Sequence, residues 1–436
     1  MDVILIPTWT VLVQWFFPAF TTPTAQIFLA LINGWVLCTR RRTITGLIPF
    51  ADSEGRHAHD AFHRFLRQAR WEPDTLWQLL TVLLVQIFAP AGVIELDLDD
   101  TLFHRWGRQI EGAGWWRDAV RSTRHRVVHA WGLNVVVLTL RIPPPWGGEP
   151  LGLPLLMRLH RKNGASLLEL AEAMCRQVAE WLPGRTFRLH ADGFYAPLAG
   201  PLGRHDSVRF HLVSRMRRDA KLYAPLRPTR RKKNKRGRPR TKGPRLPAPQ
   251  EMARRVRKWR LVETTERGQS RQRLVYTREV LWQKVSQTPV LLVISRDPEG
   301  KERDDFFFTT DRTLAGAQVI EGLAGRWSVE DTFRNTKQFL GGEEPQSWKG
   351  PGPERAVMLS LWLSSVVWLW FLQQPAKLHE VTGPAWYPDK TRPSFPDALA
   401  ALRRHLWGQR IKAWFGKPLG HHKKLAVLIE ALSRAA

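Results

Sequence analysis

The sequence predicts a mixed α/β protein, and three observations carry that reading. Apolar residues at three- and four-residue spacing mark helices before residue 90 and again after residue 351. Between them, β-branched runs surround one helix with a clear start signal. Lys and Arg then crowd a Pro- and Gly-containing stretch within the β-rich part. With 436 residues, 43% of them hydrophobic, the chain is long enough for two or three domains and apolar enough to bury real cores.

The elements follow in order. Residues 61–69 and 75–88 read as amphipathic helices with polar starts at Asp60 and Asp74. Residues 93–98 (VIELDL) read as a strand ending in acids, and 127–142 and 153–160 as two more strands. Residues 166–182 read as a helix opened by a capping box of Ser166 and Glu169. Residues 186–191 (TFRLHA) read as a strand ending at Asp192. Further strands are expected at 208–214, 274–282, 290–295 and 306–310. Residues 314 to about 340 read as a helix with a break expected near 326–328. The pattern divides into a helical N-terminal part (1–90), a first core part (91–203), a basic β-rich insertion (204–310), a second core part (311–350) and a C-terminal helical region (351–436). No internal repeat is evident.

Lys plus Arg total 67 against 39 acids, a formal net charge of +28. Such a chain is drawn to polyanions, nucleic acid first and anionic membrane second. Only two cysteines, Cys38 and Cys175, are present, which excludes a disulfide framework and a Cys-rich zinc site and fits a reducing cytoplasm. The apolar stretches 27–38 and 356–372 are too short to argue for spanning helices, so buried helices and no membrane partner are expected. The N-terminus lacks a basic segment and a clear cleavage site, so no signal peptide is expected. Of the 21 tryptophans, most are expected in packing and a minority to stack on bases.

Residues 227–245 hold eleven Lys and Arg in nineteen positions and no acid. Self-repulsion and Pro/Gly content make this a loop, and Arg230, Arg231, Lys232, Lys233, Arg236, Arg238 and Arg240 are its candidate DNA contacts. Its Arg-Gly-Arg-Pro core resembles an AT-hook, which lies extended in a minor groove. A generic phosphate grip is the preferred reading, because clustered cations suffice for it.

The acids carry the chemistry. Asp97, Asp99 and Asp100 crowd one strand end in ELDLDDTL, where mutual repulsion calls for a cation. Asp192 follows a second apolar strand in RLHADGFY. Glu330 stands in LAGRWSVEDTFRNTKQFLG, four residues after Arg326 and seven before Lys337, so a continuous helix would align cation, anion and cation. Taken singly, each motif also reads as turn acids or an exposed ion-paired helix face.

In combination, Asp99 in LDDT, Asp192 in ADGFY and Glu330 in RWSVEDTFRNTKQFLG resemble the DDE transposases of bacterial insertion sequences, specifically the insertion-sequence-four superfamily with its Tyr-Arg-Glu-Lys signature. Arg326, Glu330 and Lys337 match the last three signature positions, and Leu323 stands where that family has Tyr. The resemblance implies an RNase H-like catalytic core with a basic β-rich insertion, flanked by helical regions. It implies Asp99, Asp192 and Glu330 as catalytic and metal-binding carboxylates, serving two Mg²⁺ ions with Mn²⁺ as a substitute. Arg326 and Lys337 would bind DNA phosphates, and the partners would be double-stranded DNA and a second copy of the chain. The implied activity is DNA cleavage and strand transfer, an in-line displacement at phosphorus that carboxylate-held metal ions assist.

Two other readings stay open. Asp97-Leu-Asp99-Asp100-Thr101 also resembles the DxDxT motif of haloacid-dehalogenase-like phosphatases, with Asp97 as nucleophile and Asp99 as acid/base. The acid pair which that fold needs after a later strand is missing, since Asp304 and Asp305 precede their apolar run. A non-catalytic DNA-binding protein needs only the basic surface.

Overall fold

The computed structural model describes residues 8–123, 125–203, 209–226, 240–381, 383, 387–415 and 423–434. Five helices open it: α1 (Trp9–Gln14), α2 (Thr22–Leu37), α3 (Ile44–Ala51), α4 (His59–Arg67) and α5 (Pro73–Phe88). Strands β1 (Val93–His104), β2 (Gly114–Arg117), β3 (His129–Ile142) and β4 (Leu151–His160) follow, then α6 (Leu167–Trp181) and β5 (Thr186–Ala191). After a 3-10 segment at Gly193–Leu198 come α7 (Ala199–Leu202), β6 (Arg209–Arg215), α8 (Pro249–Arg255), β7 (Arg260–Glu266), β8 (Gln269–Val280), β9 (Val290–Arg296) and β10 (Asp305–Thr309). Helices α9 (Gly316–Gly325), α10 (Trp327–Phe339), α11 (Gly352–Leu372), α12 (Phe395–Phe415) and α13 (Lys423–Arg434) complete the chain.

All ten strands join one sheet. Its path runs β2-β3-β1-β5-β6-β10-β9-β8-β7, with β4 also paired to β3. β1, β5 and β6 are parallel, whereas β3 and β4 run antiparallel as a hairpin beside β1. The order β4-β3-β1-β5-β6 is that of an RNase H-like core. Helix α6 supplies the crossover to β5 and begins at the expected capping box. The Glu169 amide donates to Ser166 Oγ at 3.3 Å, and the Ser166 amide to Glu169 Oε2 at 2.7 Å.

Three features differ from the sequence expectations. β1 does not end at its acids but continues to His104, because β3 pairs with it residue for residue from Leu96↔Leu140 to His104↔Gly132. Ladder hydrogen bonds outweigh the low strand preference of three aspartates. β2 and β7 were not expected; the first is only four residues long, and the second is a half-polar edge strand. β6, assigned by sequence to the insertion, pairs with β5 in the core, and β10, β9, β8 and β7 extend the same sheet beyond it.

The terminal helices share one core with the sheet. Phe16 and Phe28 meet Trp362 of α11 edge-on, with centroids 4.8 and 5.3 Å apart. The Trp35 indole donates to the Leu340 carbonyl at 2.8 Å, and Arg403 of α12 donates to the Val36 carbonyl at 2.7 Å. Each fully buried large side chain contributes about 1.5–3 kcal/mol. Among the described residues, α11 alone is long and apolar enough to cross a membrane by length and composition, and almost every residue of it is buried in protein.

Candidate active site

The site grows from the alternation of side chains along β1. Asp97, Asp99 and Thr101 point to the face covered by α10, and Asp100 to the opposite face. Each member of the first set meets one residue of the helical segment in turn. Ser328 Oγ donates to Asp97 Oδ2 at 2.8 Å, Arg326 Nη1 to Asp99 Oδ2 at 2.5 Å, and Lys337 Nζ to Thr101 Oγ1 at 2.9 Å. Helix α10 also crosses β4 closely. Thr332 Oγ1 donates to the Gly152 carbonyl at 2.7 Å, and a Cβ on Gly152 would stand 3.0 Å from the Ser328 carbonyl oxygen. A side chain there would push the helix off the sheet.

Asp97 is fully buried and committed. Arg141 Nε donates to its Oδ2 at 3.0 Å, and Arg141 Nη2 holds its Oδ1. With both oxygens bound and no route to solvent, Asp97 does not present a nucleophile, and the phosphatase reading of DxDxT fails at its first residue.

Asp99 and Glu330 are joined through one guanidinium. Arg326 ends α9 and precedes α10, at the break expected from the sequence, and its Nη2 donates to Glu330 Oε1 at 2.8 Å while Nη1 holds Asp99. The β1–β5 register ends at Leu98↔Ala191, so the next position brings Asp192 alongside Asp99. Burial, reinforced by the charges of Asp100 and Asp192, pushes the Asp99 carboxyl up to about 7 although Arg326 opposes it. Asp100 is likewise raised, by burial and then by Asp192, and accepts a hydrogen bond from Tyr195 Oη at 2.9 Å. Burial works against the charge of Arg326, but Asp99 and Glu330 keep its pKa above the usual value. Asp192 caps the following 3-10 segment, accepting from the Phe194 amide at 2.9 Å.

Lys337 lies on the same helix but does not pair with Glu330. Its ammonium also donates to the Leu102 carbonyl at 2.8 Å and sits 5.2 Å from the Phe103 ring centre, and burial lowers its pKa. Arg230, Arg231, Lys232, Lys233, Arg236 and Arg238 lie outside the described residues; Arg240 is described and exposed.

Sequence reasoning missed the wall opposite. A cavity of about 420 Å³ opens beside Asp192 and Arg326 and is lined by Arg215, Arg267, Arg271 and Arg273, of which Arg215, Arg271 and Arg273 are ion-paired to the lining acids Asp305, Glu302 and Glu266. Arg267 and Gly268 form the two-residue turn between β7 and β8, with φ of 51° and 71°. The left-handed backbone at a non-glycine residue is uncommon and costly. It places the Arg267 guanidinium 4.1 Å from the ring centre of Trp327, next to Arg326. The usual Asn-Gly hairpin signal is absent here, so nothing local marked the turn.

The donor set suits a hard divalent cation. It is all oxygen, and burial together with the neighbouring charges of Asp100 and Asp192 raises Asp99. In the arrangement seen, however, no three His, Cys, Asp or Glu side chains among the described residues form a ready metal cluster. The Arg326 guanidinium provides positive charge between Asp99 and Glu330 instead.

The family model for DDE superfamily endonucleases matches residues 15–288, or 274 of the 436 residues. The chain belongs to the DDE endonuclease superfamily. Within this DDE endonuclease, Asp99 and Asp192 fall inside the matched span and Glu330 lies beyond it. A solved structure, the cryo-EM piggyBac transposase synaptic complex with hairpin DNA, is similar at 11% identity with a TM-score of 0.46, covering 98% of this chain and 83% of that one. No curated protein matches.

Proposed function

We propose that this DDE endonuclease is a DNA transposase that binds the terminal inverted repeats of an insertion sequence and performs cut-and-paste cleavage and strand transfer. The observation that carries the reading is the single guanidinium joining Asp99 to Glu330, with Asp192, just past the end of β5, acting on Asp99, in a chain of this superfamily. Asp99, Asp192 and Glu330 would hold divalent ions, Mg²⁺ with Mn²⁺ as substitute. Such ions, when bound, activate the attacking oxygen and stabilise the leaving one. The chain's own part is positioning. A DNA phosphate offers Arg326 an alternative anionic partner, which frees the two carboxylates. Arg267, and Arg271 and Lys337 by exchanging their present partners Glu302, Thr101 and Leu102, would hold neighbouring phosphates. The side-chain alternation of β1 favours Asp99 over Asp100 as the first catalytic acid, since only Asp99 shares a face with Arg326.

By the same proposal, residues 1–90 recognise element ends and support assembly, the 204–310 segment with its 227–245 loop grips duplex DNA, and two copies act together on DNA. A cytoplasmic, nucleoid-associated setting follows from the charge and the two reduced cysteines.

The test is cleavage at the junction of a cognate element end with Mg²⁺. Asp99→Asn, Asp192→Asn and Glu330→Gln should each abolish cutting and spare end binding. Full cleavage by one of them removes that residue from the site. An inactive Asp100→Asn beside an active Asp99→Asn would move the first acid by one position.

A further inference from the structure

Five residues past Asp99, β1 leads to a second cavity, of about 660 Å³, whose walls mix tryptophan with arginine: Trp106, Trp115 and Trp131 with Arg105, Arg108 and Arg121. At about 3.3 Å per residue, its edge at His104 lies about 17 Å along the strand from Asp99. The indoles are open rather than packed. Trp106 is 89% exposed and Trp115 58% exposed. Trp131, opposite Trp115 in the β2–β3 register, is pinned by its indole N–H to the Gly107 carbonyl at 2.9 Å. Trp115 and Trp131 stand edge to face with centroids 5.9 Å apart.

Arg105 is the second, independent observation. Its side chain is almost wholly buried in the wall between this cavity and the neighbouring one lined by Trp106 and Trp348. It donates to the carbonyls of His104 and Gly342, its Nε has no partner, and the nearest acid acting on it, Glu343, is bonded to His104 instead. A buried cation bonded only to carbonyls, with its nearest acid shared with a histidine, is costly unless a further anion completes the site.

We infer that this groove binds an unpaired stretch of DNA, its bases stacked on Trp106 and Trp115 and its phosphates held by Arg105, Arg108 and Arg121. Aromatic faces interleaved with guanidinium groups suit single-stranded nucleic acid, because exposed bases stack while the backbone is neutralised. A duplex keeps its bases stacked on one another, so it can use the arginines but not the indole faces. The inference rests on the transposase reading only for the choice of DNA as the polyanion. It adds a place for a strand that becomes unpaired about five nucleotides from the cut, at 3.4 Å per nucleotide along one strand.

The test is fluorescence anisotropy of a labelled twelve-nucleotide oligothymidine and of a matched duplex, with the full chain in EDTA. Trp106→Ala and Trp115→Ala should each weaken oligothymidine binding by at least fivefold and leave duplex binding within twofold. Trp106→Phe should restore binding, because it keeps a stacking face. Trp414→Ala, an exposed tryptophan on α12, serves as the control and should change neither. Equal losses on both DNAs, or no loss on the oligothymidine, would overturn the inference. So would a change in sedimentation with unchanged oligothymidine affinity, since that marks a contact between copies of the chain. Metal-free binding keeps the two readings apart: loss of cleavage alone sinks the transposase, and loss of tryptophan dependence alone sinks the groove.

Discussion

Asp97→Asn should destabilise the protein by about 3–5 kcal/mol, the usual cost of removing one member of a buried ion pair. Asp97 is fully buried, and the Arg141 side chain is only 11% exposed. The amide cannot match the two-pronged contact to Arg141 and leaves a charged guanidinium without its counter-ion. It also weakens the bond from Ser328, two residues before Glu330, so α10 loses one of its ties to β1. Against a typical total of 5–15 kcal/mol, such a loss lowers the urea midpoint clearly. The partner experiment is Asp97→Leu with Arg141→Met, which removes both charges together. That pair should recover most of the loss, because the penalty comes from the charge left behind rather than from a favourable bridge. The assay is urea unfolding followed by far-UV circular dichroism in EDTA. An Asp97→Asn midpoint within about 1 kcal/mol of the native chain would refute the reasoning. So would a double variant less stable than the single one.

Three further outcomes are expected. In EDTA, Asp99→Asn should be no more stable than the native chain below pH 3.8 and increasingly more stable up to about pH 7, levelling above. The raised carboxyl makes the folded state the tighter proton binder, so native stability falls through that window, by at most about 4 kcal/mol before the lost contact to Arg326 is counted; a pH-independent difference in urea unfolding would contradict this. Lys337→Ala should cost about 1–3 kcal/mol of stability through its bonds to Thr101 and Leu102, yet reduce single-turnover cleavage by on the order of 100-fold; near-normal cleavage would leave the lysine a structural anchor only. Neutralising Arg230–Lys233 should weaken binding to element ends and unrelated duplex alike and flatten the log–log salt dependence by roughly one unit per lost phosphate contact, and an unchanged slope would exclude the loop from phosphate binding.

Much of the core was legible because its signals are local. VIELDL, the β-branched run ending at Ile142, the Ser166/Glu169 box and TFRLHA each declare an element from neighbouring residues. The break at Arg326 was legible for the same reason. What the sequence hid depends on pairing. β1 runs through its aspartates only because β3 supplies a full ladder, and β7 is a strand only because β8 pairs with it from Arg260 to Glu266. The left-handed Arg267 is therefore invisible until both strands are in place. The groove of Trp106, Trp115 and Trp131 was hidden in the same way, since it draws on the end of β1, the loop after it and the β2–β3 pair.

The alternation of β1 explains why so much charge gathers in so little space. A period of two sets Asp97, Asp99 and Thr101 on one face, and the helical segment from Arg326 to Lys337 meets them in a fixed sequence of contacts. The first is a buried hydroxyl on a committed carboxylate, and the last an ammonium on the Thr101 hydroxyl. The one between them is different. Arg326 serves two carboxylates at once, one of them raised to about 7 by burial and by neighbouring acids. A guanidinium can share such a site but cannot relieve it fully, because its single charge serves Asp99 and Glu330 while Asp100 and Asp192 add their own charge to the field on Asp99. On the proposed function, this surplus negative charge is what a divalent ion would offset, and the Ser328 contact to Asp97 would hold the helix in place if Arg326 turned to a phosphate.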